Sequence, residues 1–400
     1  MYYYNFHDSH PFLPPAAQLL ASLSPNLESY VLYPLLYIGD LFRSKDIACH
    51  WKDKAKACFD SSSCTASLET VQGYTLYAFA TYAGGLRSEG RRALHQAYMF
   101  AMELGFDKTE DTHEISTNRR KELSLKVWWE IYAACVLFST FAGECCDCPE
   151  ISSRICHGSS KAQQNFPFLE TQLSEVHENE KRYGSYPYFV KAITLLRRVN
   201  SFLNAYGENV QEEGLDSYIA ELSSYFPSYS PSNDLLLTRA RIIISMATIY
   251  LHAYFAQLQL PVFVQSPSCG LSISTLSYDM SSVISVTRCL DAAETIITIV
   301  RSSHQLERLC PFVACAINLS AFIHASGILK DWDKEHCSEI LKEEIAALEK
   351  LSTIWDTPKT LLKGVRRLAE LIHIFDHNYH SDYDAIFKES RELQSTNPES

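Results

Sequence analysis

The chain has 400 residues, 46% of them hydrophobic and 12% aromatic, which suffices to bury a large core and excludes a disordered chain. Its formal net charge of -12 excludes a global basic field for gripping phosphate backbones. With 14 glycines and 15 prolines, turn-forming residues are scarce, which favours long helices over a strand-and-turn architecture.

Pro11, Pro14, Pro15 and Pro25 keep the first thirty or so residues from forming a long helix. Apolar periodicity then predicts short helices over 30–42 and 46–59, the second carrying Trp51, before a loop at Ser61, Ser62 and Ser63. Between 67 and 143 the pattern predicts three helices joined by short polar turns. The first repeats Leu68, Val71, Thr75, Ala78, Phe79 and Tyr82; Ser67 is its expected N-cap, and Gly84-Gly85 can close it in a left-handed conformation. The second carries a small-residue row, Ala93, Ala97 and Ala101, that permits close approach of another helix, and Gly105 stops it. The third places Leu123, Val127, Trp128, Ile131, Cys135 and Phe138 on one stripe, widened by Trp129 and Tyr132.

A cysteine-rich turn and a polar loop follow, up to about residue 185. A helix is predicted over 188–203, with a break at Pro227 and Pro231. Asp234 can cap the next helix, whose apolar run at 242–260 is long enough for a membrane span. Arg239, Arg241, His252, Gln257 and Gln259 interrupt or flank it and Pro261 ends it, so it is read as a central bundle helix, with no membrane partner. A loop at 265–277 precedes helices over 278–301, 311–328, 333–352 and 359–374, and the tail from about 377 is polar. The expected fold is all-α, a large multi-helix bundle: an N-terminal segment with short helices (1–66), a helical domain (67–375) and a C-terminal tail (376–400).

Thirteen cysteines, an odd number without regular spacing, with no secretory signal in view, read as reduced thiols, and Cys135, Cys289 and Cys315 fit as small core residues. Cys145, Cys146, Cys148, Cys156 and His157 lack a second Cys-x2-Cys or a spaced His pair and read as a loop, so neither metal nor cofactor is assigned. There is no Gly-x-Ser-x-Gly, no phosphate-cradling glycine loop and no Asp-rich helix patch: Asp331 and Asp333 flank Trp332, while Asp382 and Asp384 lie in the tail. No catalytic constellation is found, and the chain is expected not to be an enzyme. His95, His252 and His324 read as satisfied core or surface residues, and the short basic groups, such as Arg119, Arg120 and Lys121, as solvated faces.

Several of these pieces, in order, resemble the fungal-specific transcription factor domain, the middle homology region of zinc-cluster regulators. They are Phe6-His7 with His10-Pro11-Phe12-Leu13-Pro14, then Leu68-Glu69-Thr70-Val71-Gln72. Next come Ala97, Met99, Ala101, Met102, Leu104, Gly105 and Phe106, and finally Arg119-Arg120, Trp128-Trp129 and Gly143. The resemblance covers the first half; the second half is similar only as further helix. Two features depart from the family. Gly143 is followed by Glu144-Cys145-Cys146 where the family has Gly-Arg-Pro, and no pair of Cys-x2-Cys-x6-Cys runs is present, so the family's zinc cluster and its DNA-binding module are missing from this chain.

The resemblance implies a single nuclear regulatory domain that controls transcription by sensing a small-molecule effector or a partner, with Trp128, Tyr132 and Tyr82 as candidates for lining an effector pocket. It implies no direct nucleic-acid binding. Either the coding sequence continues upstream of Met1, or the chain acts through a DNA-binding partner protein or co-regulator. The alternative is a helical protein-interaction scaffold unrelated to transcription, docking through the helix of Ala93, Ala97 and Ala101.

Overall fold

The computed structural model describes residues 1–22, 28–60, 64–106, 119–143, 185–204, 219–220, 223, 234–256, 282–303 and 305–377. Thirteen α-helices and no strand occur among them. They are α1 (Tyr2–Asn5), α2 (Ala16–Ser22), α3 (Glu28–Leu41), α4 (Lys45–Phe59), α5 (Leu68–Ala83), α6 (Arg87–Glu103) and α7 (Arg119–Ala142). The second half holds α8 (Tyr186–Asn204), α9 (Leu235–Phe255), α10 (Ser282–Ser302), α11 (Val313–Leu329), α12 (Lys334–Ser352) and α13 (Asp356–His377). The cysteine-rich turn, the loop at 265–277, Asp382, Asp384 and the tail from 378 lie outside the described residues.

The caps form as their residue types dictate. Ser67 Oγ accepts from the Thr70 amide at 3.0 Å to start α5, and Asp234 accepts from the Leu237 amide at 2.9 Å to start α9. Gly85, Gly105 and Gly143 close α5, α6 and α7 with φ of 83°, 73° and 65°. Asp331 and Asp333 also take positive φ, 57° and 48°, in the tight corner between α11 and α12. No side chain caps α12, and its first residue is Lys334.

Helix α3 carries Pro34 in its interior. Proline has no amide hydrogen, so the Tyr30 carbonyl lacks its helical donor. Helix α5 backs onto that oxygen at Gly73, where an added Cβ would lie 2.0 Å from it. A similar contact joins α5 to α6, since a Cβ on Gly90 would sit 2.8 Å from Tyr82 Cβ.

In the first half α3 packs on α4 and α5, and α5 on α6 and α7; in the second, α8 packs on α9, α9 on α10, and α11 on α10, α12 and α13. Helix α7 reaches α8, α9 reaches α11, and α13 returns to α5, where Thr357 Oγ1 donates to the Tyr82 carbonyl at 3.1 Å. One hydrophobic core runs through both halves. Two helices lie at its centre: every residue of α5 except Glu69 is buried, and so is every residue of α11 up to Ile328. Phe312, at the start of α11, meets Phe79, Tyr82, Phe138 and Phe141 at ring distances of 5.5–6.0 Å, which joins α5, α7 and α11.

Segments Glu122–Ala142 and Leu235–Ala253 have the length and hydropathy of membrane spans, yet 78% and 83% of their most apolar windows are buried inside the fold. Cys135, Cys289 and Cys315 are buried, as small core residues should be.

Candidate functional site: a buried arginine beside a small cavity

Three ionisable residues from distant parts of the sequence meet inside this core. His10 comes from the N-terminal segment, Glu130 from α7 directly after Trp128-Trp129, and Arg239 from α9. Their relative exposures are 0%, 0% and 3%. The proline-rich segment carries His10 inward because α1 and the turn after it bury Tyr2 and Phe6. The imidazole is then held against Phe6 at 4.4 Å and Phe79 at 4.7 Å between ring centres.

Arg239 Nη1 lies 2.9 Å from both oxygens of Glu130 and 3.1 Å from the Ser9 carbonyl, which takes up its two hydrogens. His10 Nδ1 stands 3.0 Å from Glu130 Oε2 and 2.9 Å from Arg239 Nη1. The carboxylate is therefore the partner for an Nδ1–H donor, and Nε2 is a bare acceptor. The guanidinium stacks on Phe189 of α8 at 4.2 Å, so four elements converge on one group.

Burial resists ionisation of Glu130, but Arg239 and then His10 outweigh it and hold the carboxyl below its usual range. Burial pulls the other way on Arg239, and Glu130 keeps it firmly charged. Burial, reinforced by the Arg239 charge, pushes His10 down to about 4, so its ring is neutral at physiological pH. Tyr2 and Tyr186 are fully buried near this pair, and both phenols are pushed well up, chiefly by burial and in part by Glu130.

The arginine is only half used. Nε and Nη2 are buried and have no hydrogen-bond partner among the described residues. Arg239 is also one of the residues that line a cavity of about 20 Å³, against roughly 10–15 Å³ needed for one water. Its walls include Leu137 of α7, Ile243 and Met246 of α9, and Cys310, Phe312 and Val313 where α11 begins.

A second buried polar group lies between α11 and α12. Glu344 Oε1 accepts from Ser320 Oγ and stands 2.9 Å from His324 Nδ1, while Oε2 has no partner. Burial raises the Glu344 carboxyl, and His324 and Ser320 offset this only in part. Both the hydroxyl and the imidazole address the carboxylate rather than each other, so the trio lacks the nucleophile-to-base hydrogen bond of a catalytic triad.

The candidate pocket residues all sit in the core beside the cluster. Tyr82 stacks on Phe138 at 3.7 Å and donates to the Phe138 carbonyl at 3.3 Å. Trp128 stacks on Tyr98 at 5.8 Å, and Tyr132 meets the edge of Trp129 at 5.5 Å. None of Tyr82, Trp128 and Tyr132 lines the cavity beside Arg239. Of the other histidines weighed from the sequence, His95 is exposed, His252 is buried, and His324 has the glutamate partner just described. No group of three or more metal-ligating side chains is found among the described residues.

Glu130 and Arg239 escaped the sequence reading as a site. A signal was present: Glu130 lies inside the apolar stretch that begins at Val127 and runs on without another charge to Ala142, and Arg239 shares the apolar helix α9 with only one other arginine, Arg241; buried charges need partners. Comparisons with protein families, curated proteins and solved structures find no match for this chain.

Proposed function

We propose that this chain is the effector- or partner-sensing regulatory body of a fungal zinc-cluster-type transcription factor, acting in the nucleus without reading DNA itself. One observation carries the reading. The separate motifs that resemble the family are the parts that grip one another in three dimensions. His10 of the first motif bonds Glu130 beside the tryptophan pair at 3.0 Å, and Gln72 of the second donates to the Phe12 carbonyl of the first at 2.9 Å. Motifs that share contacts belong to one structural unit, and the absence of Cys-x2-Cys-x6-Cys runs leaves DNA contact to another module or a DNA-binding partner.

The test is a reporter assay in a fungal cell. The full chain fused to a heterologous DNA-binding domain should change transcription from the cognate reporter by several-fold, in either direction. A fusion that is stable, nuclear and bound at its site but leaves the reporter unchanged would overturn the proposal.

A further inference from the structure

We propose that the outward face of α13 is a docking surface for a short acidic helix of a partner protein. The inward face is already satisfied: Leu361, Leu362, Val365, Leu368 and Ile372 are buried in the bundle, where α13 packs on α11 and α12. On the outward face Lys359, Lys363 and Arg367 recur every four residues, all exposed and without a carboxylate partner among the described residues. That spacing sets successive cations about 6 Å apart along one ridge. The ridge stands out against a chain of formal net charge -12, and the basic groups beside it are matched: Arg366 pairs with Glu349, and Lys45 with Asp356.

Gly364 adds shape to this charge. It neighbours Thr360 and Arg367 at helical spacing, and nothing among the described residues comes within 4 Å of a Cβ built there. Glycine inside a helix weakens it, and no close packing demands one at this position. The notch lets a second helix approach the α13 backbone, with an apolar side chain of the partner over Gly364 and its carboxylates meeting Lys363 and Arg367. The ridge is also short. Asp356 precedes it and Glu370 follows it, both exposed, which confines the positive stretch to about two turns. Two turns match a few carboxylates on one helix face. They are too few for a nucleic-acid duplex, whose grip rests on roughly six to ten phosphate contacts.

This inference names a partner class for the regulatory reading and rests on that reading only for its biological meaning. The probes are two fluorescein-labelled peptides, four repeats of Glu-Ala-Ala-Leu and four of Gln-Ala-Ala-Leu, titrated against the purified full chain by fluorescence anisotropy. The acidic peptide should bind saturably, at least tenfold more tightly than the neutral one, and lose affinity steadily as salt is raised. Reversing the ridge with K359E, K363E and R367E together should abolish binding. Filling the notch with Gly364→Gln should weaken binding at least fivefold while leaving Tm level or higher. If the triple variant fails to fold, G364Q and the salt dependence decide. Equal affinity for both peptides, no binding below 1 mM, or affinity unchanged by the reversal or by G364Q would each overturn the proposal. So would tighter binding of a DNA duplex or of phosphatidylserine vesicles through the same three cations, which would assign the ridge to phosphates. The reporter plays no part in this titration, so failure here leaves the regulatory reading standing, and a silent reporter leaves the docking result untouched.

Discussion

Glu130 and Glu344 are both carboxylates with no exposed surface, yet their neighbours drive them in opposite directions. Glu130 faces a guanidinium and stays ionised; Glu344 faces a hydroxyl and an imidazole and is pushed toward its neutral form. The signs for stability follow. A raised folded pKa means that the Glu344 contribution is complete below the unfolded value and fades as pH rises through the folded one. Glu344→Gln should therefore become progressively more stable than the parent as pH is raised. His10 runs the other way. Its fall from 6.5 to about 4 makes the neutral ring favour the folded state above pH 6.5, and this is lost as pH drops toward 4. That amounts to about 3 kcal/mol by linkage. Denaturant titrations at pH 4, 6.5 and 8 on the parent, E344Q and His10→Asn check both, since H10N should lack the acid-side loss.

At the scale of the element, the decisive contacts are those where helix backbones touch. Gly73 presses on the carbonyl that Pro34 leaves free, and its neighbour there is main chain that cannot swing away. Gly73→Ala should cost about 3 kcal/mol or more, the upper range for overpacking. Gly364, inside α13, has nothing within 4 Å of an added Cβ. Gly364→Ala should instead stabilise by about 0.5–1 kcal/mol, because helix propensity is then the only term that changes. Thermal melts of the two variants should move in opposite directions.

Helix existence and capping were legible because periodicity and the side chains of Ser67 and Asp234 act locally. The joint between α3 and α5 was not, since it depends on a missing hydrogen at Pro34 meeting a missing Cβ thirty-nine residues later. The helix runs predicted over 30–42 and 359–374 proved to be 28–41 and 356–377, the ordinary drift of helix ends.

For the whole molecule, both halves close on the same centre: α7 meets α8, α9 meets α11, and α13 returns to α5. The N-terminal segment is part of that closure. Tyr2, Phe6, His10, Phe12 and Leu13 are all at most 3% exposed, and Arg308 of the second half pairs with Asp8 at 2.6 Å. Deleting residues 1–14 would strip these rings from the core and leave Glu130 and Arg239 without His10 and Ser9. Loss of a buried partner typically costs 3–5 kcal/mol, so the shortened chain should be recovered as aggregate rather than folded monomer on size-exclusion chromatography. The sequence alone could not reveal this. A proline-rich tip of mixed polarity resembles a loose terminus, and long-range meetings such as that of His10 with Glu130, 120 residues away, make it structural.

Met1 is 61% exposed while Tyr2 is 2% exposed, so the chain passes from solvent to interior within one residue. A cargo attached ahead of Met1 would have almost no slack, and its tumbling would follow that of the folded body. A fluorophore there would act as a strain gauge: its anisotropy would fall as soon as His10 undocked and the core that this segment helps to close came open with it.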